Sequence, residues 1–315
     1  MQLKAALTAA VEQLTAADIG SPRLNAETLL MFVLGVNRAY LYAHPELTLN
    51  PEEQARYDEV IAQRATGMPS QYITGHQEFW GLDFVVTPAV LIPRPETEHL
   101  VETVLEIVRE EREQLASNLK IVDVGTGSGC IALALANELP FAHVYATDIS
   151  ANALEIARAN AARLQLDGRV RFVQCDVLEP VTTGIPSEDV IPSRITPIPP
   201  GIFHDLDFVV SNPPYVAYGE ADKVQRSVKE FEPQAAVFAG KHGFDVIRPL
   251  IEQANAALKE RGWLAIEIGY SMRDAVLSLL SPTVWENVRA IPDLQGIPRI
   301  VAARRRSGSE LKTQS

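Results

Sequence analysis

Apolar residues recur three and four positions apart in residues 1–72, which is the spacing of a buried face on an α-helix. Ser21-Pro22 has the composition of a helix start, with a capping residue followed by proline. Asn50-Pro51 repeats this signal, and Glu53 stands where a capping box places its acidic residue. We therefore predict a small all-helical domain over residues 1–72 that serves packing or the docking of a partner.

The pattern changes over residues 73–93. Here β-prone segments such as Phe84-Val85-Val86 are separated by glycine and proline. A β-hairpin that links two domains fits this composition. Pro93-Arg94-Pro95 then opens a helix, and a second domain follows over residues 94–306.

From residue 119 onward, short apolar runs of strand composition alternate with helical segments. This alternation is typical of a mostly parallel sheet that helices cover on both faces, so the predicted fold class is α/β. The predicted strands lie at 121–124, 144–147, 170–173, 206–210, 263–268, 284–291 and 299–303, and the predicted helices between them at 130–139, 151–164 and 246–258.

Two segments lie outside this alternation. Residues 180–204 contain six prolines and are predicted to form a proline-rich surface insertion. Residues 307–315 are predicted to form a solvated tail.

Composition narrows the classes of function. The net charge is −12 and the pI about 5.0, whereas a protein that binds nucleic acid usually carries a basic surface. We therefore expect a protein substrate and no direct contact with nucleic acid. The histidines and cysteines match no metal-ligand spacing, so no metal is expected.

Cellular location follows from what the sequence contains and lacks. Cys130 and Cys175 have the spacing of neither a disulfide framework nor a redox motif, which is typical of free thiols in a reducing compartment. No apolar run approaches the roughly 18 residues that a membrane span needs. We expect a cytoplasmic protein that acts as a monomer and does not contact membranes.

A glycine-rich segment, Asp123-Val124-Gly125-Thr126-Gly127-Ser128-Gly129, runs from the end of the first predicted strand of the sheet into a helix. Glycine lets the backbone turn sharply and approach a ligand closely. Asp148 ends the next strand, about 20 residues on, where an acidic residue can accept hydrogen bonds from ribose hydroxyls. Asp176 ends the third strand in the same way. Cys130 replaces the last glycine of a dinucleotide fingerprint, which weakens the case for NAD. Together these residues indicate a nucleoside-containing cofactor.

The segment Asn212-Pro213-Pro214-Tyr215 follows the fourth predicted strand and carries the chemistry. Two prolines make it stiff, and the Asn212 side-chain oxygen and the Pro213 carbonyl can each accept a hydrogen from one NH₂ group. Tyr215 offers a ring face to a planar group. Such acceptors activate a poorly nucleophilic planar nitrogen and stabilise the positive charge that develops on it, which predicts methyl transfer to an amide or amino nitrogen.

Several further segments resemble one known family, the peptide-chain release factor glutamine methyltransferases. They are Gly75-His76-Gln77-Glu78-Phe79-Trp80-Gly81-Leu82, Leu91-Ile92-Pro93-Arg94-Pro95-Glu96-Thr97-Glu98, Phe231-Glu232-Pro233 and Glu267-Ile268-Gly269, and they stand beside the two segments above. The resemblance extends over nearly the whole chain. It implies methylation of the glutamine in the Gly-Gly-Gln motif of release factors, with S-adenosylmethionine as methyl donor and S-adenosylhomocysteine as product.

The resemblance also implies the architecture and the site. It implies a helical domain that docks the release factor and a seven-stranded, Rossmann-like methyltransferase domain. Cofactor-binding residues would be Gly125, Thr126, Gly127, Ser128, Gly129, Asp148, Asp176, Val177 and Asn212; relatives can carry an aromatic residue where this chain has Val177. Glutamine-binding residues would be Arg94, Asn212, Pro213, Pro214 and Tyr215, among which Asn212, Pro213 and Tyr215 would be catalytic.

Two other substrates fit the same acceptor geometry. An adenine amino group could occupy the place of the glutamine amide, although the acidic charge disfavours a nucleic-acid substrate. A glutamine of a large-subunit ribosomal protein would use identical chemistry, and only the docking domain could separate it from a release factor.

Overall fold

The computed structural model describes residues 1–111, 118–180 and 203–307. Most of the predicted insertion at 180–204 and of the predicted tail at 307–315 lies outside the described residues. The α-helices are α1 Leu3–Ala16, α2 Pro22–Leu34, α3 Arg38–Ala43, α4 Pro51–Ala65, α5 Ser70–Thr74, α6 Glu98–Glu110, α7 Cys130–Glu138, α8 Ala151–Arg163, α9 Arg226–Phe231, α10 Gln234–Val237, α11 Ile247–Ala257 and α12 Arg273–Leu279. The strands are β1 His76–Phe79, β2 Leu82–Val85, β3 Lys120–Val124, β4 His143–Asp148, β5 Val170–Asp176, β6 Glu179–Pro180, β7 Leu206–Ser211, β8 Leu258–Glu267, β9 Trp285–Pro292 and β10 Pro298–Arg305. Two 3₁₀ helices cover Pro95–Thr97 and Tyr218–Lys223.

The N-terminal part is all-helical, as predicted. Helices α1, α2 and α4 bury an apolar core of their own, which includes Leu14, Leu30 and Tyr57. The capping box at the start of α4 is confirmed, since the Glu53 N–H donates to Asn50 Oδ1 at 2.8 Å and the Asn50 N–H donates to Glu53 Oε2 at 2.9 Å. Local sequence therefore determines where this helix begins.

Helix α2 begins at Pro22 as predicted, but Ser21 does not cap it with its side chain. Ser21 has a φ of 50°, in the left-handed region, and its side chain makes no capping hydrogen bond. Its backbone carbonyl instead accepts the N–H of Asn25. The predicted helix start at Ser21-Pro22 is therefore confirmed in position, but its capping hydrogen bond comes from the backbone and not from the Ser21 side chain.

The predicted hairpin is present, with β1 and β2 antiparallel and joined at Trp80-Gly81. Both turn residues have positive φ, 53° and 69°, which is typical of a two-residue hairpin turn. The Trp80 N–H donates to Glu98 Oε1 at 2.7 Å and its indole Nε1 donates to Glu138 Oε1 at 3.0 Å. These bonds tie the hairpin to helices α6 and α7.

The prediction of an α/β fold with a seven-stranded, mostly parallel sheet is confirmed. The seven main strands run in the order β5-β4-β3-β7-β8-β10-β9, with β5, β4, β3, β7 and β8 parallel and β10 antiparallel to both neighbours. The two-residue strand β6 adds to the β5 edge, antiparallel to it. One apolar core packs α6 and α7 on one face of the sheet, and a second packs α11 and α12 on the other.

The strand order places two loops side by side. The chain runs outward through β3, β4 and β5 and then returns to β7, which pairs with β3 on its other side. Ligands of open α/β sheets bind at the carboxyl ends of strands where the order reverses in this way. Among the described residues, no helix combines the length and the apolar composition needed to cross a membrane.

Candidate active site

Two loops leave the carboxyl ends of the neighbouring strands β3 and β7. Val124, the last residue of β3, pairs with Ser211, the last residue of β7. The Ser211 hydroxyl donates to the Val124 carbonyl at 2.7 Å. The glycine loop, residues 125–129, and the asparagine loop, residues 212–215, therefore start from one fixed point.

The glycine loop depends on positive φ angles. Gly125, Gly127 and Gly129 have φ values of 72°, 55° and 85°, a region that L-residues with a Cβ adopt at a cost. A Cβ at Gly125 or Gly127 would meet nothing within 4 Å, so the space above these two residues is open to a ligand. A Cβ at Gly129 would lie 3.1 Å from Leu133 and 3.2 Å from Ala157, so this glycine also permits close packing of α7 on α8.

Asp148 supports the glycine loop from the end of β4. Its Oδ2 accepts the Gly127 N–H at 2.9 Å, and its Oδ1 accepts the Ser150 N–H at 2.9 Å. Burial raises the pKa of the Asp148 carboxyl, and these N–H donors oppose that shift. The predicted acidic residue thus lies at the loop, at the strand end where a ribose would be bound.

Asp123, a residue of β3, begins the glycine-rich segment but was not predicted to bind the cofactor. Its Oδ2 accepts the Thr126 hydroxyl at 2.6 Å and the Ala132 N–H at 3.1 Å, while its Oδ1 is buried without a hydrogen-bond partner. Burial raises the pKa of Asp123 to about 7. A buried polar atom without a partner is costly, so this oxygen fits a polar group of a bound ligand.

Asp176 and Val177 lie at the end of β5, further along the same edge. Asp176 is exposed, and Val177 adopts a left-handed φ of 57° in the turn between β5 and β6. The Val177 carbonyl accepts the Thr147 hydroxyl at 3.0 Å. This non-glycine residue in a disfavoured backbone conformation is therefore held in its turn by the strand beside it.

A cavity of about 110 Å³ opens beside the asparagine loop, and it brings the predicted glutamine-binding residues together. Its lining residues are Leu91, Arg94, Asn212, Pro213, Pro214, Tyr215, Val216, Val224, Val228, Ala236, Val237 and Glu267. The sequence did not predict the wall from α9 and α10, because these helices are too short to give a periodic apolar pattern.

Asn212 is held from behind by two buried residues. Its Nδ2 donates to Thr97 Oγ1 at 3.0 Å, and the Thr97 hydroxyl donates to Glu267 Oε2 at 2.7 Å. Thr97 and Glu267 are each 2% exposed. Burial raises the pKa of Glu267 to about 7, which the Thr97 hydrogen bond and the charge of Arg299 oppose.

Arg94 forms an ion pair with the buried Glu232. Arg94 Nη2 lies 2.5 Å from Glu232 Oε1, and Glu232 Oε2 accepts the Ile92 N–H at 3.2 Å. The carboxylate thereby fastens the segment before α6 to the end of α9. Arg94 lines the cavity as predicted, but Glu232 was not predicted as its partner, although it stands in the family-like segment Phe231-Glu232-Pro233.

Tyr215 closes the asparagine loop and is packed tightly. A Cβ at Gly269 would lie 3.2 Å from the Tyr215 ring, and a Cβ at Gly243 would overlap the Tyr215 carbonyl oxygen. Burial raises the pKa of Tyr215 to about 12, so its hydroxyl is neutral at physiological pH. The ring thus acts as a neutral, fixed wall. Within the described ranges, no group of three or more histidine, cysteine, aspartate or glutamate residues could hold a metal ion.

Comparison with known proteins gives matches over both domains. The family described as PrmC N-terminal domain matches residues 5–75, and that described as methyltransferase domain matches residues 115–267. A release factor glutamine methyltransferase of Koribacter versatilis (strain Ellin345) is 51% identical over 97% of this chain and 99% of its own length. One of Moorella thermoacetica (strain ATCC 39073 / JCM 9320) is 41% identical over 97% and 99%.

A solved structure shares the fold at a greater evolutionary distance. The hMettl16 catalytic domain in complex with the MAT2A 3′UTR hairpin 6 matches 79% of this chain and 82% of its own, with a TM-score of 0.52 and 19% sequence identity. At that identity the likeness concerns the fold alone.

Proposed function

The chain belongs to the family of release factor glutamine methyltransferases, as its motifs predicted, and we propose that it methylates the side-chain amide nitrogen of the Gly-Gly-Gln glutamine in peptide-chain release factors. The observation that carries this proposal is the cavity beside the asparagine loop, together with the pairing of Ser211 and Val124, the strand ends from which the asparagine loop and the glycine loop leave. A methyl donor and a planar amide would meet at that point.

Cofactor binding is assigned to the edge formed by β3, β4 and β5. When bound, S-adenosylmethionine supplies an electrophilic methyl group on a sulfonium sulfur. The open backbone at Gly125 and Gly127 and the carboxylate of Asp148 suit its nucleoside, and the unpartnered Asp123 oxygen suits a polar group of the amino-acid part. The cofactor-binding residues of this proposal are Gly125, Thr126, Gly127, Ser128, Gly129, Asp148, Asp176, Val177 and Asn212, with Asp123 added from the geometry.

The asparagine loop would hold the glutamine. Asn212 Oδ1 accepts one hydrogen of the substrate NH₂ group and the Pro213 carbonyl accepts the other, which increases the electron density on nitrogen. The Tyr215 ring keeps the amide plane in place, and Pro214 and Arg94 complete the wall. These residues would lower the barrier by orienting the amide and by stabilising the positive charge on its nitrogen while the methyl–sulfur bond breaks and the methyl–nitrogen bond forms. The nitrogen would then lose one of its hydrogens as a proton.

Selection of the partner is assigned to the N-terminal helical domain. It has its own apolar core and matches a family domain over residues 5–75, separate from the methyltransferase match. We assign it the docking of the release factor and take the enzyme to act as a monomer in the cytoplasm. This assignment separates a release factor from a ribosomal protein, whose glutamine would suit the same cavity.

Mass spectrometry of a release factor incubated with the enzyme and S-adenosylmethionine tests the proposal. We expect a gain of one methyl group on the Gly-Gly-Gln glutamine, and no comparable gain on large-subunit ribosomal proteins or on adenine in DNA or RNA. Methylation of one of those substrates in place of the release factor would show that the proposed substrate is wrong.

Asn212→Ala tests the site. It removes one acceptor, so we expect methyl transfer to fall by on the order of 100-fold or more, while binding of S-adenosylhomocysteine, measured by calorimetry, weakens much less because the other cofactor-binding residues remain. Turnover like that of the unaltered enzyme would refute the role given to Asn212. Asn255→Ala, on helix α11 and outside the residues that line the cavity, serves as a matched control.

A further inference from the structure

A chain of hydrogen bonds leads from the cavity into the protein core, from Asn212 Nδ2 to Thr97 Oγ1 and from there to Glu267 Oε2. We propose that Thr97 and Glu267 are positioning residues that determine which side of the Asn212 amide faces the substrate. The inference rests on the proposed function, because it requires the Asn212 oxygen to accept a hydrogen of the glutamine amide.

A carboxamide has two ends of nearly the same shape and opposite hydrogen-bonding character. If Asn212 turned its NH₂ group to the cavity, it would present donors to a substrate that itself offers donors. The difference between a working and a blocked site is thus a rotation of one side chain by half a turn. Something in the protein has to favour one of the two orientations.

Thr97 supplies that preference. Its hydroxyl has a single hydrogen, which is donated to Glu267 Oε2 at 2.7 Å, so only lone pairs remain to face Asn212. Asn212 satisfies them with its NH₂ group, and the Nδ2–Oγ1 distance of 3.0 Å is that of a normal hydrogen bond. The Asn212 oxygen is then directed away from Thr97.

Glu267 determines the direction of the hydrogen bonds that link it to Thr97 and Asn212. When Glu267 is ionised its oxygens only accept, so the Thr97 hydrogen then points towards β8 and away from the asparagine loop. Both residues are 2% exposed, so water does not offer an alternative partner at low cost. Because both buried hydrogen bonds point from Asn212 towards Glu267, they are able to hold the Asn212 amide in one orientation.

Thr97→Val and Thr97→Ser form the test, with methyl transfer to a release factor as the readout. Valine keeps the shape of threonine and removes the hydroxyl, whereas serine keeps the hydroxyl. For Thr97→Val we expect kcat to fall by on the order of 10- to 100-fold, with the dissociation constant of S-adenosylhomocysteine nearly unchanged. Thr97→Ser should recover most of the lost kcat.

Thr103→Val is the matched control. Thr103 lies on α6, is 3% exposed and donates its hydroxyl to the His99 carbonyl at 2.7 Å, so the same buried hydroxyl is removed away from the cavity. We expect kcat close to that of the unaltered enzyme. Thermal unfolding of all variants shows whether the fold is retained, and equal losses of kcat in Thr97→Val and Thr103→Val would overturn the proposal.

Glu267→Gln separates positioning from direct action. Its amide can turn either an oxygen or an NH₂ group towards Thr97, so we expect a smaller fall in kcat than for Thr97→Val. The double variant should be no worse than Thr97→Val alone, because both changes act through Asn212. Additive losses, or a Glu267→Gln enzyme far slower than Thr97→Val, would show that Glu267 acts on the substrate directly.

The activity of the unaltered enzyme shows whether the proposed function or only the positioning role is wrong. If it does not methylate a release factor, the proposed function is wrong. If it does, and Thr97→Val turns over at the same rate with the fold intact, the positioning role alone is wrong.

Discussion

The glycine loop and the asparagine loop lie side by side at the ends of β3 and β7, yet they are held by different means. The glycine loop is shaped by its own backbone, with three positive φ angles within residues 125–129. The asparagine loop relies on side chains from distant parts of the chain, since Asn212 bonds to a residue 115 positions earlier, which in turn bonds to one 170 positions later.

This difference has a chemical reason. A nucleoside-containing cofactor is bound largely through backbone groups and open space, which a run of glycines provides locally. A transferred methyl group demands that acceptor atoms point within a narrow range of directions, and side-chain direction is determined by tertiary contacts. Cofactor binding and methyl transfer should therefore respond separately to mutations in the two loops.

The largest expected effect comes from Gly243→Ala. Gly243 has a φ of 78°, and a Cβ there would overlap the Tyr215 carbonyl oxygen, so the contact between this segment and the asparagine loop must open. We expect methyl transfer to fall by on the order of 100-fold, with binding of S-adenosylhomocysteine retained in calorimetry. The control is Gly219→Ala, where a Cβ meets nothing within 4 Å and the residue is exposed. Loss of cofactor binding in Gly243→Ala would show that cofactor binding and methyl transfer do not depend separately on the two loops.

A smaller effect is expected from Gly129→Ala, and it should fall on cofactor binding instead of methyl transfer. Gly129 has a φ of 85°, and its Cβ would lie 3.1 Å from Leu133 and 3.2 Å from Ala157, so α7 and the glycine loop must shift slightly. A strain of about 1–2 kcal/mol predicts that the dissociation constant of S-adenosylhomocysteine rises by about tenfold. At saturating cofactor, kcat should stay close to normal. A fall in kcat that excess cofactor does not relieve would show that the glycine loop also affects methyl transfer.

The same difference explains how much the sequence alone could predict. The order of strands and helices, the capping box of Asn50 and Glu53, and the place of both loops follow from patterns a few residues long. These features depend on backbone preferences and on burial of one face, which are local. The place and the glycine-dependent turns of this loop could therefore be predicted from its sequence, although the hydrogen bonds that Asp123 and Asp148 make to it could not.

The supports of the asparagine loop could not be predicted in the same way. Thr97, Glu232 and Glu267 each stood in segments that drew attention by family resemblance, but nothing local shows that Thr97 bonds to Asn212 or that Glu232 pairs with Arg94. Such pairings arise only when the sheet and helices pack. Ser21 illustrates the converse, because a correct local helix signal did not give a side-chain cap once the chain entered the helix by a left-handed turn.

The smallest expected effect is on stability, and it involves one buried carboxyl group beside each loop. Burial raises the pKa of both Asp123 and Glu267 to about 7, from ordinary values of 3.8 and 4.5. Because the folded-state pKa is the higher one, the native state binds more protons between these values, and the stability from each group is lost as the pH rises towards 7. The loss is about 1.4 kcal/mol for every tenfold difference in proton affinity between the folded and unfolded states.

Asp123→Asn and Glu267→Gln remove these titrations one at a time. Chemical denaturation between pH 5 and pH 8 should show that each variant gains stability relative to the unaltered protein as the pH rises. Saturating S-adenosylhomocysteine should reduce this pH dependence for Asp123, whose Oδ1 gains a partner, and leave that of Glu267 unchanged, since Glu267 supports the other loop. If the ligand reduced the pH-dependent stability gain of both variants, relative to the unaltered protein, by the same amount, the two loops would not be independent.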